Sequence, residues 1–472
     1  MLFLQILKGA FLAFEVVLLF NLLIVAHELG HLWAAVARGL KVDKFAVWFG
    51  KPIWARMVCG VECSLGWIPA GGFVSIPQMA PMDVLEGAPT TDTESLPPAT
   101  PLDKAIVAFA GPLASFSLAV LLSFIVWFVG RPVGAGELTN IVGYVVEGGP
   151  AAAAGIVPGD QVVSVDGKPV NRFTPSGDAR GSIVWNVAVS TKEKIPVVVN
   201  RNGTSIKLFV APETPERGGW GRRALKQIGA LPEETPVIAK VVRFSPAEHA
   251  GLITGDSVIA FNGNHIYSME SFGKSVGASG GKPITLLVNR GGNTHTVNLA
   301  AVIPVGETIP RLGIQWDLRG VTKIVHPTPW DQISGSVISI VNTVEAITTK
   351  GSGINATHLS GPVGVMRIYY VLFQSPDGWR LVLWFSVLLN VNLALMNLLP
   401  LPVLDGGHIL MAGIESVIRR PIPMGTQRLL GNFCAALLIG FMLFVSFYDV
   451  LDLPSPFGRE PLEKTISFGV EK

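Results

Sequence analysis

The chain has 472 residues, of which 49% are hydrophobic and only 15% charged, and its mean hydropathy is +0.48. That balance argues against an ordinary soluble enzyme and for an integral membrane protein long enough to hold several units. A formal net charge of +2 without a basic aromatic stripe gives no argument for nucleic acid, and three cysteines (Cys59, Cys63, Cys434) are too few for a disulfide framework.

The first apolar stretch, Phe11–Val36, is broken only by Glu15, Asn21 and the motif His27-Glu28-Leu29-Gly30-His31. On a helix, His27 and His31 rise from one face a turn apart, with Glu28 beside them. This is the H-E-x-x-H arrangement in which two imidazoles hold Zn²⁺ and the glutamate handles the proton of the attacking water. Charged groups at membrane depth are costly and mark function, so the setting points to a metallopeptidase working inside a bilayer. The stretch lacks a small-residue cleavage pattern and is expected to stay in the mature protein.

Cys59 and Cys63, next along the chain, are expected as small buried or interfacial residues rather than a metal pair. Three further segments approach the roughly 20 apolar residues that span a bilayer: Ala105–Gly130, Leu381–Leu399 and Leu429–Val450. If all four cross, His27 and Asp405 lie near one membrane face, and everything between Gly130 and Leu381 lies on the other. Arg38, Lys41, Lys44, Lys51, Arg56, Arg419, Arg420 and Arg428 crowd the first face. Lys8, Arg131 and Arg380, with Arg459 and Lys464 in the tail, serve the second. The bias favours a cytosolic catalytic face.

The long insert repeats itself. Pro150, Gly155, Gly159 and Asp160 recur 96 residues later as Pro246, Gly251, Gly255 and Asp256, and Asp166-Gly167 recurs as Asn262-Gly263. A second piece, Val197–Gly203, answers Leu286–Gly292 at an offset of 89. Each copy reads as a short helix stopped by glycine, a turn and an alternating strand. The pattern looks like tandem PDZ domains over Leu138–Glu213 and Pro236–Ala301, serving either as peptide-binding grooves or as steric filters. Beyond them, Trp330, Ile333, Val337, Val341, Val344 and Ile347 recur at helical spacing. That predicts an amphipathic helix on the membrane surface or packed on the second repeat.

A catalytic zinc takes three protein ligands and keeps one position open. Asp405 is the leading third ligand: Pro400 and Pro402 break the third span, and Gly406-Gly407 permit a tight turn back. His408, one turn on, is a rival that suits a supporting role better. Glu15 is too far up its own helix, and Glu415 is expected at the interface. The third span also carries Asn390, Asn392 and Asn397, which must face a protein interior.

These motifs together resemble the site-2 protease family of intramembrane zinc metalloproteases, in its bacterial sigma-E-regulating type. The resemblance rests on His27–His31, Asn397-x-x-Pro400 with Asp405-Gly406, Phe49-Gly50-Lys51, Pro69–Phe73, Gly111-Pro112, the two PDZ-like repeats and Leu359–Pro362. It implies a polytopic α-helical membrane protein with four transmembrane helices, a re-entrant β-like loop around Gly66–Pro77, and two tandem PDZ domains (mixed α/β). The implied order is residues 1–37 with the first helix, 38–104 with the loop, 105–130, 138–213, 236–301, a 302–380 linker, 381–399, an active-site loop over 400–428, and 429–450. It further implies one Zn²⁺ on His27, His31 and Asp405, Glu28 as general base, and substrate contacts from Asn397 and Asn392. Ser115 departs from the asparagine often found in the family.

A helix in hydrocarbon hides its carbonyls, so a substrate span must be drawn out and its amides satisfied elsewhere. The edge Gly60–Ser75 offers strand pairing, with Gly71 and Gly72 allowing close approach. Expected substrates are single-pass membrane proteins already trimmed outside, such as an anti-sigma factor or remnant signal peptides. The expected setting is the bacterial inner membrane, as a monomer in contact with lipid, with the PDZ domains in the periplasm. A non-enzymatic scaffold leaves the His-Glu-His cluster unexplained, and a metal transporter lacks its inverted repeat.

Overall fold

The computed structural model describes residues 2–79, 96–216, 221–304, 306–317, 322–375 and 377–453; Arg459 and Lys464 lie outside the described residues. The chain divides into two compact units, one of Met1–Arg131, His326–Ile340 and Leu359–Asp452, the other chiefly of Pro132–Val325 with Val341–His358.

The first unit opens with helix α1 (Leu2–Ala37), apolar apart from Gln5, Lys8, Glu15, Asn21 and the His27–His31 motif. It stops at Gly39, whose φ of 71° lets the Gly39 amide donate to the Val36 carbonyl and the Leu40 amide to that of Ala35. This left-handed cap satisfies the last turn. Strands β1 (Lys44–Val58) and β2 (Val61–Ser75) follow. Each doubles back, so 44–47 pairs with both 72–75 and 62–65, while 61–65 also pairs with 54–58. Cys59 and Gly60 turn the hairpin at φ 48° and 81°, the positive values a two-residue turn requires. Segment 72–75 is therefore an outer strand of a small folded-back sheet. The expected loop from Gly66 runs as β2 as far as Ser75.

Helix α2 (Pro101–Val129) starts on a capping box, Thr100 with Asp103, and has Pro101 in its first turn. Arg38 Nε donates to Asp103 Oδ1 at 2.7 Å, joining the end of α1 to the start of α2.

The second unit holds the duplicated fold. In the first copy β3 (Val142–Val145), β4 (Gln161–Val165), β5 (Lys168–Pro169), helix α3 (Ile183–Val189), β6 (Ile195–Arg201), β7 (Thr204–Val210) and β8 (Ala230–Pro232) give a sheet ordered β5-β4-β6-β7 plus the pair β3-β8. The second copy has β9 (Ile238–Val241), β10 (Ser257–Phe261), β11 (Asn264–His265), helix α4 (Met269–Ala278), β12 (Pro283–Arg290), β13 (Asn293–Ala300) and β14 (Ile314–Trp316). It repeats the design as β11-β10-β12-β13 plus β9-β14. β8 and β14 lie beyond the ranges drawn from the sequence repeat, and Ile228 and Leu312 beside them enter the two cores.

The two repeated sequence pieces meet in the same way in each copy. Arg201 donates to Asp160 and to the Gly155 carbonyl; Arg290 donates to Asp256 and to the Gly251 carbonyl. Both aspartates are fully buried. Burial pushes the Asp256 carboxyl up, but the Arg290 hydrogen bonds, the Ile253 amide and the charges of Arg290 and His295 together outweigh it and hold the group below its ordinary value.

Helix α5 (Pro329–Thr348) realises the amphipathic pattern, with apolar residues along it entering a core in each unit. In the first unit Ile333 and Val337 pack on Ala119, Val126, Val387 and Val391. In the second, Ala346 and Ile347 pack with Ile354 and with Ala188 of the first copy, not the second. Polar Gln332 reaches the Ser123 carbonyl at 3.0 Å, which lets a helix of mixed polarity enter a core. Helices α6 (Pro362–Gln374), α7 (Gly378–Asn397), α8 (Asp405–Ile418) and α9 (Met424–Leu451) complete the first unit.

Among the described residues, four helical segments are long and apolar enough to cross a membrane: Gly9–Ala37, Pro101–Val129, Gly378–Asn397 and Gly425–Leu451. Phe128 is 85% and Leu429 72% exposed. Apolar surface of this extent on four helices is what lipid covers.

Candidate metal centre

α1 meets α2 at unusually short range. A Cβ on Gly30 would stand 2.3 Å from the Ala110 carbonyl oxygen, and one on Gly111 would stand 2.2 Å from His31 Nε2. Only hydrogens fit at these positions, and the close approach presses the His27/His31 face of α1 against one stripe of α2.

That stripe is Val107, Gly111 and Ser115, spaced four residues apart. The Val107 carbonyl lies 2.8 Å from His31 Nδ1, and Ser115 Oγ lies 3.0 Å from His27 Nδ1. A carbonyl can only accept, so His31 carries its proton on Nδ1 and presents a lone pair at Nε2.

Asp405 arrives from the other end of the unit. Leu398 to Leu404 make a tight turn, with the Leu404 amide donating to the Leu401 carbonyl. Pro400 and Pro402 keep α7 from continuing. The turn rests directly on Gly406 and Gly407, where a Cβ would meet the Leu398 and Leu401 carbonyl oxygens at 2.2 and 2.1 Å. Asp405 thereby begins α8 facing the histidines.

His27 Nε2 lies 3.2 Å from His31 Nε2 and 3.2 Å from Asp405 Oδ2, and His31 Nε2 lies 3.4 Å from Asp405 Oδ1. Tetrahedral ligands about 2.0–2.1 Å from a zinc ion stand about 3.3 Å apart. The three groups match that spacing, and the two nitrogens and the carboxylate form a typical catalytic donor set. The residues therefore fit the metal that the motif implies. Among the described residues this is the cluster of His, Cys, Asp and Glu that can hold an ion, and neither His408 nor Glu15 belongs to it.

Asn397 Nδ2 is 3.3 Å from His27 Nε2, at the edge of the cluster. Glu28 faces β2: a Cβ on Gly72 would touch its Cγ at 3.4 Å, while the backbone of Gly71 packs under the Phe49 ring. Asn392 Oδ1 and Asn390 Oδ1 are buried and have no hydrogen-bond partner among the described residues, and the Asn390 amide donates to the Ser386 carbonyl. Glu415 corrects an expectation. It is buried, 5% exposed, and accepts from Lys104 Nζ at 2.8 Å and from the Ile422 amide, joining α2 to α8 rather than facing an interface. Sequence reasoning missed this pair, as well as the parts played by Val107 and Ser115. The four-residue stripe through Gly111 was the available signal.

The family model described as Peptidase family M50 matches residues 15–441. A Neisseria meningitidis protein whose name proposes a zinc metalloprotease is 32% identical over 451 residues, covering 92% of this chain and 97% of that one. The regulator of sigma-E protease of Salmonella typhimurium is 28% identical over 456 residues, covering 90% and 96%. A solved PDZ domain from a Listeria monocytogenes SdrC-like protein aligns with 18% of this chain and 90% of its own at 17% identity and a TM-score of 0.17, a likeness too slight to define a fold.

Proposed function

This chain belongs to peptidase family M50 and is a zinc metalloprotease of the site-2 type, and we propose that it is an intramembrane endopeptidase cutting the transmembrane segments of pre-trimmed single-pass membrane proteins. The observation that carries this reading is the convergence of His27, His31 and Asp405 to within 4.8 Å, with Glu28 beside the two histidines on α1 and two of the three ligands inside an apolar span.

His27, His31 and Asp405 would hold one Zn²⁺, which in such sites lowers the pKa of water and polarises a carbonyl. Glu28 takes the proton from the attacking water and hands it to the leaving amine. Asn397, beside His27, contacts the substrate backbone near the scissile bond, and Asn392 offers a further amide on the same helix. A substrate helix must first be opened into an extended form. The outer strand 72–75 lies next to Glu28, and in this reading its other edge, unpaired among the described residues, pairs with such a segment.

The duplicated modules are read as tandem PDZ domains on the strength of their shared strand order. They act as filters that reject substrates whose outer domain remains bulky. In this reading the protein resides in a bacterial inner membrane with its catalytic face to the cytosol and its PDZ domains in the periplasm. Its substrates are an anti-sigma factor or remnant signal peptides. The test is expression of wild type and Glu28→Gln with tagged single-span peptides. Zinc-dependent cleavage inside the span by wild type alone is expected; equal cleavage by both would overturn the reading.

A further inference from the structure

We propose that Ser115 is a positioning residue that holds the metal ligand His27 in the tautomer and orientation a zinc site needs. The inference rests on the metal reading above and deepens it. His27 can offer Nε2 to a metal only while its proton sits on Nδ1. His27 is buried, and a buried donor left without an acceptor is costly. Ser115 Oγ, 3.0 Å away and completely buried, supplies the acceptor.

The other end of the ring agrees. Asn397 Nδ2 stands 3.3 Å from His27 Nε2, where the lone pair can accept in the absence of an ion; once that lone pair is given to zinc, Nδ1 is the site left for the ring proton. His31 needs no such help, because the Val107 carbonyl at 2.8 Å can only accept. The two ligands are thus held differently: one by a fixed backbone group, the other by a side chain that mutation can remove. A hydroxyl can also donate, so Ser115 holds His27 through geometry on α2 and not through its chemistry alone. Ser115→Ala deletes one oxygen from a stripe whose neighbour Gly111 already touches His31, and it leaves the helix contact otherwise intact.

The experiment is zinc affinity of the full-length protein in detergent, measured by chelator competition, alongside thermal unfolding of the metal-free form. Ser115→Ala is expected to bind zinc 10–100-fold more weakly while the metal-free protein unfolds at the wild-type temperature. With His27→Ala already present, Ser115→Ala should weaken zinc binding no further. Wild-type affinity in Ser115→Ala would overturn the proposal. An equal loss in the His27→Ala background, or destabilisation of the metal-free protein large enough to account for the loss, would do the same. Absence of zinc binding by the wild type would instead remove the metal reading itself.

Discussion

Gly111→Ala is the sharpest small perturbation of the site. On helix propensity alone it should stabilise α2 by about 0.8–1 kcal/mol. Yet the added methyl would stand 2.2 Å from His31 Nε2, 2.4 Å from Cε1 and 2.8 Å from Cδ2, where ordinary contact begins at 3.4 Å. The imidazole must retreat by about 1 Å or more, losing either the Val107 carbonyl at 2.8 Å or its place 3.2 Å from His27 Nε2. Displacements of about 1 Å cost about 100-fold in rate, and loss of a ligand empties the site. The assay pairs zinc content of the purified protein with cleavage of a tagged single-span peptide. The variant should fold, lose most bound zinc and cleave at least about 100-fold more slowly. Full zinc occupancy with full cleavage would refute the packing argument.

Other expectations follow from the same geometry. Glu28→Gln should keep zinc while losing about 100- to 10,000-fold in cleavage; metal analysis beside a turnover assay checks both halves. Asp405→Ala should lower bound zinc without unfolding α8, which circular dichroism and metal analysis separate. Asp256→Asn should destabilise the second repeat by about 2 kcal/mol, since a buried carboxylate loses charge-assisted bonds from Arg290. Because the native Asp256 carboxyl lies below its ordinary value, that stabilisation is complete above about pH 4 and disappears as pH falls through the native value. Hydrogen exchange of β10 and β12 against pH should show this acid loss in wild type and not in the variant. Removing 138–301 should let untrimmed substrate be cleaved; unchanged selectivity would remove the filter.

Local chemistry was easiest to read in the sequence. H-E-x-x-H needs only four-residue spacing, a span needs only length and apolarity, and the Asp160 and Asp256 turns share their proline, glycines and aspartate at one offset. Asp405 was visible because prolines and glycines around it forced a turn. What stayed hidden depends on contacts between distant segments. Val107 acts through its carbonyl, which every residue has, so no side-chain pattern marks it. Ser115 looked like a mere departure from a resemblance, and Glu415 like a surface carboxylate, because Lys104 is 311 residues away. The strands β8 and β14 carry no repeat of their own, since pairing by backbone leaves side chains free to diverge. A β-like stretch over Gly60–Pro77 was expected, but β1 and the doubling back were not, for a similar reason: the bends are set by register, not by turn residues alone.

The central claim is one zinc ion shared by His27, His31 and Asp405. X-ray absorption at the zinc edge of the purified full-length protein tests it most directly. One equivalent of zinc with two imidazole ligands and oxygen at about 2.0–2.1 Å is predicted, falling to one imidazole or to no zinc in His27→Ala. A sulfur-rich coordination shell, or a spectrum unchanged by His27→Ala, would contradict the account.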